Sequence, residues 1–451
     1  MDPVVVPRES HSLSRQNISQ EALRVLYGLK EAGYVAYIAG GGVRDLLIGR
    51  KPKDFDVVTD ATPNEVRRVF RNCRLIGRRF RLAHVFFGQT IIEVATFRSD
   101  QTPDEADEAQ NGVHHVTSDD GVIVRDNVFG TPDQDARRRD FTVNALFYNI
   151  RDYSVIDYVG GLADLQARVM RFIGDPVVRC VEDPVRMIRA VRFAAALGFT
   201  FEPLTEQAIR AESGKLALAN RSRLYEEVQK LFFCGAAQRA YELLRDFGLF
   251  EILFPEMGSW LGPKSGTPPC RRISEALRQV DEWRQAGRDV SPALLFAVMF
   301  GGMHEARAGE MTAQGQHRGL ALHSVTLEHF GGLTDRVQVP KMVRYRSAEI
   351  LASQPRLTAE GGKRAKPLTT RAFFPEAVAY LEFTVRLTGE HREALEYVRT
   401  LPWEPSPEHD FVPGRGRDRR PGGGRRGRRG KSFRAPRGEA GGTPDTGGGD
   451  A

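Results

Sequence analysis

Apolar residues follow two regimes along this 451-residue chain. In the first third, short apolar runs alternate with amphipathic stretches. Ser19 to Lys30 predicts a helix, with Ser19 as N-cap and Gly33 just past the end. Tyr34 to Ala39 is a short apolar run ahead of three glycines and predicts a buried strand. Val43 to Ile48 fits a helix entered from that glycine turn, and Asp54 to Thr59 a second strand. Thr62, Pro63 and Glu65 then supply an N-cap, a first-turn proline and a capping-box acid for a helix running to Phe70. Segments near 82–88 and 90–97 flank Gly88 and predict a hairpin. Alternating strands and helices predict a mixed α/β head.

Residues 100–121 break the pattern with an acidic, polar stretch from Asp100 to Glu108, expected to be a mobile loop. From Asp183 onward the spacing is helical, over Pro184 to Leu197, Arg221 to Phe233, Glu242 to Phe254 and Pro292 to Phe300. The second half is therefore expected to be mostly α, with no internal repeat. The end, about 405–451, is rich in Gly, Arg and Pro and nearly free of apolar residues. It cannot bury enough surface to offset its chain entropy and is expected to be disordered.

The length allows two to four packed units. Hydrophobic content of 41% and charged content of 27% are ordinary for a globular protein and exclude a membrane or fibrous class. No stretch approaches the ~18 apolar residues of a membrane helix. Met1 to Ser14 lacks an apolar core and a cleavage pattern, so no signal peptide is expected. Cys73, Cys180, Cys234 and Cys270 form neither CxxC pairs nor a disulfide framework. Reduced core cysteines and a cytoplasmic location follow. Residues 414–438 hold ten arginines and Lys431 against one acid, Asp418, a net +10. The whole chain carries +7, so the rest is −3. The basic character sits in one tail.

Candidate chemistry centres on Gly40, Gly41, Gly42, Val43, Arg44 and Asp45, followed by Asp54, Phe55 and Asp56. Carboxylates at i and i+2 of a strand share a face. Two such charges repel unless cations lie between them. The glycine turn offers backbone N–H groups at a helix start, favourable for a triphosphate, and Arg44 stands on the first turn within reach of the same phosphates. Alone, a glycine turn is common, and a lone DxD is more often a solvated strand or a calcium loop. Asp45 also rules out a dinucleotide fingerprint, because it stands where the third glycine belongs. The combination points to a phosphate cradle beside a two-metal carboxylate site, suited to in-line displacement of pyrophosphate.

Gly41 to Asp45 with Asp54 and Asp56 resembles the first motif of the polymerase-β-like nucleotidyltransferases, in the branch of bacterial poly(A) polymerases and tRNA CCA-adding enzymes. Later motifs follow in order: Arg138 to Ala145, Asp157 to Gly161, Glu182 to Arg186, and Arg221 to Lys230. The resemblance covers about residues 20–260. It implies an α+β fold, a small mixed-sheet nucleotidyltransferase head followed by a mostly α-helical neck and body and a disordered C-terminal tail. The implied division is a flexible N-terminus (1–18), a catalytic head (19–150), a neck with the nucleotide-selecting motif (151–235), a body or RNA-binding region (236–404) and a basic tail (405–451).

The resemblance implies Mg2+ or Mn2+ held by Asp54 and Asp56, with ATP as substrate. Arg138, Arg139 and Asp140 suit phosphate or ribose contacts as well as an internal ion pair; the resemblance favours nucleotide binding by Arg139. Asp140 is then a candidate third catalytic carboxylate, with Glu93, an acid among apolar strand residues, as rival metal ligand. Asp183, Arg186, Arg189 and Arg192 recur every three residues, so they gather on one side of a helix. In the family, matching positions contact the incoming nucleotide; the plain alternative is a salt-bridged helix surface.

Leu75 to Val85 and the body, for example Pro292 to Phe300, resemble the poly(A) polymerase branch. The expected activity is therefore template-independent addition of AMP from ATP to RNA 3′ ends, giving poly(A) tails. The alternatives are a CCA-adding tRNA nucleotidyltransferase and, in another class, a non-catalytic RNA-binding protein. RNA 3′ ends and ATP are the expected partners, with RNA-decay machinery as a further candidate and no stable membrane insertion. The Arg/Gly tail fits polyanion binding, or else a solubilising extension. His114 with His115 and the isolated His409 with Asp410 lack spaced metal partners and read as solvated.

Overall fold

The computed structural model describes residues 2–77, 81–99, 129–264 and 266–405. The acidic stretch at 100–121, the histidine pairs and residues 406–451 lie outside them.

Eight strands form one mixed sheet: β1 (Val4–Val6), β2 (Ala36–Ala39), β3 (Asp56–Thr59), β4 (Cys73–Ile76), β5 (Leu82–Phe87), β6 (Thr90–Thr96), β7 (Leu146–Asn149) and β8 (Val155–Asp157). Their order is β1-β8-β7-β2-β3-β6-β5-β4. Only the central β3–β6 pair is parallel. Helix α1 (Gln20–Glu31) buries Ala22, Val25, Leu26 and Leu29. The glycine turn leads into α2 (Gly41–Leu47), and α3 (Pro63–Val69) starts on the expected Thr62/Glu65 capping box. The expected hairpin is present, as β5 and β6 pair antiparallel.

Three expected boundaries shift. The strand predicted from Asp54 begins at Asp56, because β2 ends opposite it at Ala39, where the chain turns away. Asp54 and Phe55 therefore lead into the strand. The helix predicted from Val43 starts two residues earlier, with Gly41 and Gly42 already in its first turn. The apolar stretch Glu242 to Phe254 is divided at Gly248, whose φ of 69° is left-handed.

A short α4 (Pro132–Arg137) precedes β7, and α5 (Gly161–Ala167) follows β8. Asp157 explains that join. Its carboxylate accepts the N–H groups of Val159, Gly161 and Leu162 at 3.0, 3.0 and 2.8 Å. A side chain at Gly161 would fall 2.2 Å from the Thr142 carbonyl oxygen, so only glycine fits. The ribbon β9 (Val169–Met170) and β10 (Thr200–Phe201) joins α6 (Pro176–Glu182), α7 (Val185–Leu197), α8 (Pro203–Glu212) and α9 (Arg221–Phe232).

The remainder is helical: α10 (Ala237–Asp246), α11 (Leu249–Leu253), α12 (Pro255–Leu261), α13 (Pro268–Gln285), α14 (Pro292–Ala313), α15 (Arg318–Leu333), α16 (Lys341–Thr358), α17 (Phe374–Thr388) and α18 (Arg392–Arg399). Helix α14 is buried without interruption from Ala293 to Gly301. It is apolar all round because α13, α15, α16 and α17 surround it. Among the described residues no helix is long and apolar enough to cross a membrane. Cys73, Cys180 and Cys270 are buried, and all four cysteines are free.

Candidate active site

The glycine turn sits between β2 and α2 because its backbone must bend where side chains cannot fit. Gly40 has φ 70° and ψ −126°, and a side chain there would lie 3.0 Å from Arg139 Nη1. At Gly42 a side chain would press on Phe55 at 3.3 Å, beside the Asp54 carbonyl at 3.5 Å. The turn is thus packed directly on the segment carrying Asp54 and Asp56. Both acids keep exposed surface, while Val57 is buried. In the parallel register Val57 lies opposite Val94, which sets Asp56 beside Glu93. The protein crowds the Asp56 carboxylate and holds its pKa up at about 6: partial burial acts first, then Asp54 and Glu93 by repulsion, with Arg139 opposing. Glu93 lies 3.7 Å from His84 Nε2 on β5.

Oxygen-rich, mutually repelling acids suit a hard divalent cation. Among the described residues no three His, Cys, Asp or Glu side chains converge into a cage. Mg2+ commonly takes one or two carboxylates together with substrate phosphates, so Asp54 and Asp56 fit such an ion without a cage.

Asp140 does not join these acids. Its carboxylate accepts Arg186 Nε at 3.0 Å and Arg189 Nε at 2.7 Å, both from α7. Burial pushes its pKa up, but the two guanidinium groups prevail and hold it below the usual carboxylate range. Arg189 also donates to Glu227 on α9 at 3.3 Å, and Arg192 lies 3.5 Å from the other Glu227 oxygen. The three arginines do share one side of α7, while Met187, Ile188 and Val191 are buried on the other. That side is salt-bridged to Asp140 and to Glu227 of α9. Arg179 of α6 donates to the carbonyls of Arg137, Arg139 and Ile173 at 3.1, 2.6 and 2.9 Å.

Arg44 is buried rather than presented to solvent. It donates to Asp45 Oδ1 at 2.7 and 2.9 Å and to Asn144 Oδ1. Arg139 donates to Asp135 at 2.9 and 3.1 Å and to the Asn144 carbonyl at 3.3 Å. Asp183 lies just before α7, where Arg223 of α9 grips its two oxygens at 2.7 and 3.2 Å.

Sequence reading held Arg223 within the Arg221 to Lys230 motif without assigning it a partner, and missed Phe193. Arg223 stands forty positions from its partner Asp183, beyond the reach of any local spacing rule. The half-buried Phe193 ring is flanked by Arg192 at 4.1 Å, Arg44 at 5.3 Å and Arg189 at 5.7 Å. It thereby gathers cations from α2 and α7. Its apolar spacing on α7 marked it only as core.

Family models match residues 36–171 as a poly A polymerase head domain, 198–261 as a probable RNA and SrmB-binding site of polymerase A, and 314–431 as a polymerase A arginine-rich C-terminus. The chain is 43% identical over 389 residues to poly(A) polymerase I of Salmonella typhimurium, covering 85% of this chain and 82% of the relative. It is 42% identical over 405 residues to poly(A) polymerase I of Escherichia coli, covering 88% and 84%. A solved structure of the Bacillus stearothermophilus CCA-adding enzyme in complex with CTP is similar at TM-score 0.57 and 27% identity, covering 84% of this chain and 81% of that one. With relatives more than 40% identical along over four fifths of both chains and three family models in order, the chain belongs to the poly(A) polymerase family.

Proposed function

We propose that the chain extends RNA 3′ ends with AMP from ATP, without a template, and releases pyrophosphate. One observation carries the site: the glycine turn is packed on the Asp54–Asp56 segment, with Glu93 beside it. Asp54 and Asp56 would hold Mg2+ or Mn2+, and Glu93 is proposed as the third acid in place of Asp140. A bound divalent ion polarises phosphate oxygens and lowers the pKa of an attacking hydroxyl. The turn formed by Gly41 and Gly42 cradles the triphosphate with backbone N–H groups. Arg44 and Arg139 shape that cradle through Asn144. Asp183 is the acceptor for the adenine amino group, its carboxylate fixed in plane by the Arg223 fork. Asp140, Arg186, Arg189 and Arg192 act as positioning residues that set the neck against the head. Pyrophosphate leaves as the RNA 3′-oxygen bonds to the α-phosphorus. A cytoplasmic setting fits the free thiols, and uptake of the tailed product by RNA-decay machinery belongs to the same proposal.

The test offers each nucleotide separately, with magnesium, to a generic RNA and to a tRNA lacking its CCA end. Long ATP-dependent tails on the generic RNA are expected. Addition limited to C, C and A on tRNA would point to CCA synthesis, and binding without extension to a non-catalytic protein. Asp54→Ala should abolish extension while RNA binding persists; retained extension would sink the cation assignment.

A further inference from the structure

The body holds a cavity of about 470 Å3 where the N-terminal ends of α14, α16 and α17 meet. That volume lies inside the roughly 300–1,000 Å3 range of small-ligand sites. Pro292, Met342, Tyr345 and Phe373 make its wall mostly apolar, and Met342 keeps 56% of its surface exposed. Its polar side holds Glu376, which accepts hydrogen bonds from the Ser291 hydroxyl and Arg346 Nε, and Glu349 lines it too. Lys341 stands 5.6 Å from the Tyr345 ring centroid and Arg346 5.9 Å from that of Phe373. Flat apolar walls, a carboxylate edge and nearby cations complement a nucleobase on an anionic backbone.

A chain of contacts runs from Asp183 towards the cavity. Arg223 grips Asp183. Next to it, the Ser222 hydroxyl donates to the Gln338 side chain, and Gln338 N–H donates to the Arg221 carbonyl at 3.2 Å. Met342 follows Gln338 by four residues, at most roughly 14 Å of chain. Arg221, Arg223 and Lys341 mark the route, with Arg221 and Arg223 more than half exposed.

We propose that this cavity binds an adenine of single-stranded RNA upstream of the growing 3′ end, so that the product tail is held in the body. The carboxylates of Glu349 and Glu376 accept from an exocyclic amino group, which uracil lacks. The larger purine ring fills the apolar wall better than a pyrimidine. The inference rests on the proposed enzymatic reading only for its choice of ligand.

The test measures binding of labelled oligo(A) and oligo(U) by the full-length chain carrying Asp54→Ala, with and without Met342→Glu. Met342 is exposed, so the added acid should leave the melting temperature unchanged; Met342→Ala is the milder second variant. Oligo(A) affinity should fall roughly tenfold with Met342→Glu, the scale of one lost stacking contact, and oligo(U) affinity should change little. Unchanged oligo(A) affinity in both variants would overturn the proposal and leave the cavity to a protein segment. Equal losses for both oligonucleotides would overturn it too, leaving only charge repulsion. With Asp54 restored, Met342→Glu should shorten tails without slowing the first addition at saturating RNA and ATP. Because the binding arm needs no catalysis, failure of the cation assignment and failure of this site are read separately.

Discussion

Asp56 shows how a site residue opposes the fold that holds it. Its folded pKa of about 6 lies above the ordinary carboxylate value of about 4. Above pH 6 it is ionised whether folded or not, and the fold bears the whole cost of its charge. Below about pH 4 it is protonated in both states and the cost vanishes. Asp56→Asn should therefore raise the melting temperature in chelator at pH 8, with the gain gone by pH 4, while RNA extension is lost. No gain at pH 8 would remove the crowding account. The same residue marks what sequence reading could reach. Asp54 and Asp56 stood out by their two-residue spacing, although only Asp56 lies in the strand, and the α7 arginines by a three-residue spacing that gathers them on one side of the helix. Glu93 was visible as an acid among apolar residues, but its place beside Asp56 depends on the register of β6 against β3, which spacing within one strand cannot supply. The ion pairs of Asp140 could not be read locally, because its partners, Arg186 and Arg189, lie more than forty positions away.

At the scale of elements, α14 and α15 lock together through buried imidazoles. The Thr326 hydroxyl donates to the Leu322 carbonyl at 2.7 Å and so accepts from His304 Nδ1 at 3.3 Å. His304 Nε2 then accepts from His329 Nδ1 at 2.9 Å. This relay needs His304 neutral, because its Nε2 must accept. Burial lowers both pKa values, that of His329 to about 4; for His304 the second imidazole and Arg307 add to burial, while at His329 Glu256 opposes and Arg307 assists. Above pH 6.5 neither state binds a proton there, and stability is unaffected. Between 6.5 and about 4 the unfolded chain binds protons that the folded chain refuses, so stability falls with pH. Stability should therefore fall as the pH is lowered from 6.5 to 5. Urea midpoints at pH 7 and pH 5 test this, and the drop should shrink when both histidines are replaced by glutamine. The helices themselves were legible, since burial on one side imposes a 3.6-residue period. The break at Gly248 was not, because apolar spacing continues through a left-handed residue that redirects the axis.

Over the whole molecule, charge is divided between a nearly neutral body and a basic end. Residues 414–438 carry +10 while the rest carries −3. Deleting 411–451 should weaken RNA binding most at low salt and flatten its salt dependence, because fewer counterions are released. ATP binding should be unaffected. Equal salt slopes for the full and shortened chains would assign the tail another role. The arrangement of head before helices was plain from the switch in apolar period near Asp183. How the two meet was not, since that joint is made of ion pairs between segments distant in sequence.

That joint has a consequence for selectivity in the absence of a template. Arg179 ties α6 to the carbonyls of Arg137 and Arg139, and Asp140 receives two arginines of α7. The gap from Asp56 on the head to Asp183 beside the neck is therefore held like the jaws of a caliper. Under the proposed roles, a nucleotide anchored by its phosphates at one jaw is gauged by where its base ends at the other. On that reading the span can tell a purine from a pyrimidine before any hydrogen bond is read.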